Sequence, residues 1–151
     1  MAGGFSLKKE KIEEFNKFCN DKINELDNDI ISKKIQKFDA VLDNIDIDRN
    51  FYEFINKASP YGQGNPEPKF IIPNAQLEFC KVVGNGHLKV KISGNNYKNL
   101  DGIAFNAVGS PLGDLITNHS GSLIHFIGVI RKNDWQDFKG IQLQIYDAFI
   151  A

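Results

Sequence analysis

His87-Leu88-Lys89-Val90-Lys91-Ile92-Ser93 alternates apolar and polar residues without a break. Successive side chains of an extended chain point to opposite faces. Leu88, Val90 and Ile92 therefore share one face, and His87, Lys89, Lys91 and Ser93 share the other. Such a segment reads as a strand with one face in a core and one in water. Gly84–Gly86 before it and Gly94–Asn96 after it supply turn chemistry on both sides.

The period of two recurs outward from this strand. Gln76–Val83, Asp101–Val108, Ser122–Arg131 and Ile141–Ile150 are the companion strands. Between the third and fourth strands lies SPLGDLITNHSGS, in which Pro111 is placed to open a short helix ending near Asn118. Five strands with a helix between the third and the fourth is the connectivity of an OB-fold, a five-stranded Greek-key barrel.

Upstream the periodicity is different. Ile12, Phe15, Cys19, Ile23 and Leu26 recur at spacings of three and four, which predicts an amphipathic helix over about Leu7–Asp29 with Ser6 as its N-cap. Lys34–Leu42 alternates loosely, as a short strand would. Asp48 offers a second N-cap, ahead of a helix whose apolar face is Phe51, Phe54 and Ile55 and which Pro60 must end. The Pro- and Gly-rich run Pro60–Phe70 marks the change of architecture. The expected class is α+β, with residues 1–58 forming one part, 59–65 a linker and 66–151 the barrel.

Composition narrows the function classes. The chain has 151 residues, 42% of them hydrophobic, so it can bury a core. Net charge is −1, and residues 70–151 carry seven Lys and Arg against six acids, so a basic groove must be local rather than general. Cys19 and Cys80 have no metal-type spacing, and His87, His119 and His125 share no ligand motif. His125 lies within an apolar strand and reads as a core or sheet-face histidine. Asp48 is explained as a cap, which leaves Asp43 and Asp46 as poor evidence for a metal. The glycines of Tyr61-Gly62-Gln63-Gly64 precede no helix and do not make a phosphate loop. No apolar run approaches membrane-spanning length and the N-terminus has no signal-peptide core, so a cytoplasmic protein without membrane contact is expected.

Two segments have the chemistry of nucleic-acid contact. Lys89 and Lys91 share one strand face with His87, where cations can follow a phosphate backbone. Arg131, Lys132, Asn133, Trp135 and Lys139 surround the loop between the last two strands, one of the loops that commonly flank an OB-fold groove. A Trp ring stacks on any base while cations hold phosphates. Against this, Asp134 and Asp137 repel phosphates, and Trp135 can equally pin the loop by packing on the barrel.

Several segments resemble the C-terminal part of the RecJ family of single-stranded-DNA-specific exonucleases. They are MAGGFS (1–6), PYGQGNPEP (60–68), HLK (87–89), LDGIAFN (100–106) and QLQIYD (142–147). The resemblance spans nearly the whole chain, and its more specific carriers are PYGQGNPEP and LDGIAFN. It implies that residues 1–58 are the tail of a DHH-associated domain and residues 66–151 most of an OB-fold domain. It further implies an enzyme of DNA repair and recombination that hydrolyses single-stranded DNA from 5′ to 3′ with Mg2+ or Mn2+. The Asp and His residues that hold those metals in the family belong to a catalytic DHH domain whose motifs do not occur here. The expected role of this chain is accordingly to bind single-stranded DNA without cutting it and without a cofactor of its own. The alternative is a structural or protein-interaction domain that closes the parent enzyme or docks a partner such as single-stranded-DNA-binding protein. Self-association through the exposed N-terminal helix is a further expectation.

Overall fold

The computed structural model describes residues 4, 6–25, 37–42, 47–94, 97–133 and 140–151. Contacts divide the chain into two units, Met1–Gln36 and Lys37–Ala151.

In the first unit a single 3-10 turn, Lys9–Lys11, leads into helix α1, Ile12–Glu25. Ser6 does not cap it, and Lys8, the residue at the N-cap, makes no side-chain cap bond. Glu13 and Glu14 in the first turn place negative charge at the positive end of the helix instead. Phe15 and Cys19 of the predicted stripe are half-buried, while Ile12 and Ile23 remain 45% and 51% exposed. Leu26 and the rest of the predicted helix lie outside the described residues.

The second unit begins with strand β1, Ala40–Val41, and helix α2, Arg49–Asn56. The Asp48 carboxylate caps α2 by accepting the backbone N–H of Phe51 at 2.9 Å. Phe51 packs edge-on against Phe70, with ring centroids 5.7 Å apart, and Tyr52 and Ile55 join the same core. The Pro- and Gly-rich segment after α2 is pinned by its own polar groups. Asn65 donates its side-chain amide to the carbonyls of Ala58 (2.8 Å) and Pro60 (3.1 Å). The Tyr61 hydroxyl donates to the carbonyl of Ile55. Burial, and then the nearby Glu67 and Tyr52, push the Tyr61 phenol above its usual range.

Strand β2 runs from Phe70 to Val83, well ahead of the Gln76 start that alternation suggested. Pro73, which cannot donate to a ladder, sits where the pairing with β5 breaks between Ile72 and Ala75. Asn74, at φ 49°, turns its N–H out of the ladder and onto Nδ1 of His125, 3.1 Å away. Strands β3 (His87–Gly94) and β4 (Tyr97–Ala104) follow. Strand β4 ends at Ala104 rather than continuing to Val108, because Asn106 takes φ 51° and donates its N–H to Nδ1 of His87 at 3.0 Å. Helix α3, Pro111–Asn118, is as predicted, with the Ser110 hydroxyl capping the N–H of Gly113. Strands β5 (Leu123–Asn133) and β6 (Gly140–Ile150) complete the chain.

The ladder order β2–β3–β4–β6–β5 returns to β2 and so closes a five-stranded barrel, with β1 added in parallel to the first residues of β2. All barrel pairings are antiparallel except β4 with β6. This is the OB-fold topology that the strand pattern and the helix position predicted. The interior is aliphatic, with Leu77, Leu88, Val90, Ile124, Leu143 and Phe126 fully buried, and Ile116 of α3 belongs to the same core. Close approach of strands depends on two glycines. A Cβ on Gly128 would lie 2.2 Å from the Gln144 carbonyl oxygen, and one on Gly102 would lie 2.6 Å from Val90 Cγ2.

Candidate nucleic-acid interface

Alternation in β3 sends Leu88, Val90 and Ile92 into the core and keeps His87, Lys89 and Lys91 on the outer face. On the neighbouring β2 a register shift falls between Leu77 and Phe79. With strict alternation Phe79 would point inward with Leu77. The extra residue, Glu78, reverses the phase, so Phe79 and Lys81 come out beside Lys91 and Lys89. On the other side Lys91 faces Asp101 and Lys89 faces Ile103 across to β4.

These strands form an open groove of about 460 Å³ lined by Phe79, Lys81, Lys89, Val90, Lys91 and Asp101. Phe79 is 46% exposed, and the Lys81 ammonium lies 6.0 Å from the centre of its ring. Lys89 reaches Asp101 with 3.5 Å between Nζ and Oδ2. The groove thus combines an aromatic surface with three ammonium groups and one carboxylate, a composition suited to a base and the phosphates on either side of it. Alternation along β3 had already marked Lys89 and Lys91. Phe79, Lys81 and Asp101 were not singled out, because no local signal reports the bulge at Glu78 or the pairing of β3 with β4.

Among the described residues, the other predicted site residues do not line this groove. His87 stays on the same face, its Nδ1 occupied by the N–H of Asn106 and its ring 5.1 Å from that of Phe105. Arg131 is paired with Glu67, beside Tyr61, Gly62 and Pro66 in a second open depression. It shares a transverse register with the first groove, since Asp101 lies opposite Gln142 and Gln142 opposite Arg131. Lys132 and Asn133 close the end of β5 opposite Ile141 and Gly140. Trp135 and Lys139 lie outside the described residues.

The family model described as the RecJ OB domain matches residues 38–147. The chain belongs to that family. Over its entire length it is 30% identical to the single-stranded-DNA-specific exonuclease RecJ of Bacillus subtilis (strain 168), of which it covers 19%. RecJ from Thermus thermophilus, known from a crystal structure in complex with Mn2+, superposes with a TM-score of 0.55 at 20% identity. That superposition covers 98% of this chain and 20% of the Thermus protein, and at such identity it speaks for the fold. The chain therefore spans about a fifth of the length of these relatives. Among the described residues no three of His, Cys, Asp or Glu stand together as metal ligands, so none of them fits a site for such an ion. Nor, among them, is any helix long and apolar enough to cross a membrane.

Proposed function

We propose that this chain is the single-stranded-DNA-binding portion of a RecJ-like exonuclease of DNA repair and recombination. The observation that carries this reading is the row formed by Phe79, Lys81, Lys89 and Lys91 on the outer face of β2 and β3. An exposed ring can stack only on a base that is not already stacked in a duplex, while the ammonium groups beside it neutralise the backbone. Hydrolysis belongs, in this reading, to residues of the parent enzyme that hold Mg2+ or Mn2+, and the OB domain holds the strand near them in the cytoplasm. In this reading His87, Arg131, Lys132 and Asn133 also contact the strand, as do Trp135 and Lys139, which follow β5 in the sequence. Residues 1–58 are assigned to the end of the DHH-associated domain and 66–151 to the OB-fold domain. Single-stranded-DNA-binding protein, and a second copy of the chain through α1, are further partners within the same reading.

Fluorescence anisotropy of a labelled oligothymidylate at two salt concentrations tests it. Binding must weaken as salt rises, with a slope of about 0.7 per neutralised phosphate on a single strand. Absence of binding, or binding indifferent to salt, would favour a domain that only packs or docks protein.

A further inference from the structure

Among the described residues Asp101 is the one acid lining the groove, and the proposed role of that groove leaves it unexplained. Its side chain is 21% exposed and lies 3.5 Å from the Lys89 ammonium. Its Cα is also directly opposite Lys91 on β3 and Gln142 on β6. The backbone there is packed closely on its inner side. A Cβ on the adjacent Gly102 would meet Val90 Cγ2 at 2.6 Å and Ile145 Cδ1 at 3.1 Å. Strand β4 is thus held close between its neighbours, with the Asp101 carboxylate beside Lys89.

The geometry points to Asp101 as a built-in counter-ion that occupies the place of a backbone phosphate and so sets the affinity of the groove. This rests on the groove being a phosphate track. A carboxylate and a phosphodiester each present anionic oxygens to an ammonium group, so they compete for Lys89. Binding then exchanges a carboxylate–ammonium contact for a phosphate–ammonium contact instead of adding one. In the free protein Asp101 offsets the mutual repulsion of Lys81, Lys89 and Lys91. In the complex it faces the strand as a like charge. Such a device weakens the grip on any one nucleotide, which suits a strand that must move along the groove.

Asp101→Asn keeps the size of the side chain and removes its charge. At low salt it is expected to bind a labelled dT15 oligonucleotide about fivefold more tightly than the parent chain, the scale of one exposed ion pair. The gain should shrink as salt rises, because the salt dependence steepens by about 0.7 when one more phosphate is neutralised. A role confined to holding β4 in place would lower the melting temperature and leave affinity unchanged or reduced, and that result overturns the proposal. Lys91→Ala and Lys81→Ala, measured in parallel, decide separately whether the groove binds at all. If neither weakens binding, the groove reading fails and the counter-ion falls with it. If both weaken it and Asp101→Asn does not tighten it, only the counter-ion fails. Should Asp101→Asn not fold, the parent chain still gives an answer through carboxyl 13C NMR. Saturating dT15 is expected to move the Asp101 resonance and leave that of Asp114, on α3, in place. An unmoved Asp101 signal overturns the proposal.

Discussion

Phe79 stands in water beside three lysines because one residue, Glu78, is inserted in the pairing of β2 with β3. If the ring is a stacking surface, Phe79→Ala should weaken oligothymidylate binding about tenfold with little change in its salt dependence, since base–aromatic stacking contributes roughly 1–3 kcal/mol per base. Lys91→Ala should do the opposite and flatten the salt slope by about 0.7. Anisotropy titrations over a range of salt read both quantities from the same data. Tyr61 makes a different kind of prediction. Its phenol titrates above its ordinary value near 10. The neutral form is therefore favoured by folding, and its contribution is present below the unfolded value and lost as pH rises through the folded one. Tyr61→Phe removes the hydrogen bond to the Ile55 carbonyl and should cost about 1 kcal/mol near neutral pH. The difference from the parent chain should vanish in alkaline melts.

At the scale of elements, short polar contacts and missing side chains set the boundaries. The Asp48 carboxylate satisfies the N–H of Phe51 at the start of α2, so Asp48→Ala should lower stability by about 1 kcal/mol in thermal unfolding. Gly128 carries a larger effect. The Gln144 carbonyl lies 2.2 Å from where its Cβ would be, and backbone in a closed barrel cannot retreat without breaking the β5–β6 ladder. Gly128→Ala should cost about 3 kcal/mol, the upper range for overpacking, and should broaden amide resonances along both strands. Asn74 within β2 and Asn106 after β4 share one device, a backbone N–H at positive φ handed to Nδ1 of a histidine. Both His125 and His87 should therefore show the Nε2–H tautomer in 15N spectra.

For the whole molecule, the proposed role is to hold a strand that other residues of the parent enzyme cut. Two-metal hydrolysis of a phosphodiester needs carboxylates and histidines gathered around the ions, and the described residues gather none. The 151-residue chain is expected to bind labelled single-stranded DNA and leave it intact with Mg2+ or Mn2+ present. Degradation that follows the protein through purification and is stopped by a chelator would contradict this.

The period of two from Gln76 onward, with the helix signal at Pro111, determined an OB-fold by itself. Those cues are local, and each residue's preference for strand, turn or cap agrees with its neighbours'. The outward face of β3, with Lys89 and Lys91, was legible for the same reason. Other features were decided only in three dimensions. Alternation cannot foresee that Glu78 bulges, because a bulge is resolved by the partner strand and not by the bulged one. Alternation starts the strand at Gln76, yet β2 begins at Phe70 and runs through Pro73, since the broken ladder there asks for no N–H. Asp101 reads in the sequence as one residue of LDGIAFN. It becomes the partner of Lys89 only when β4, with no Cβ at Gly102, closes against β3 and β6. Pairing between strands is a long-range choice, made by the fit of the closed barrel rather than by any one segment.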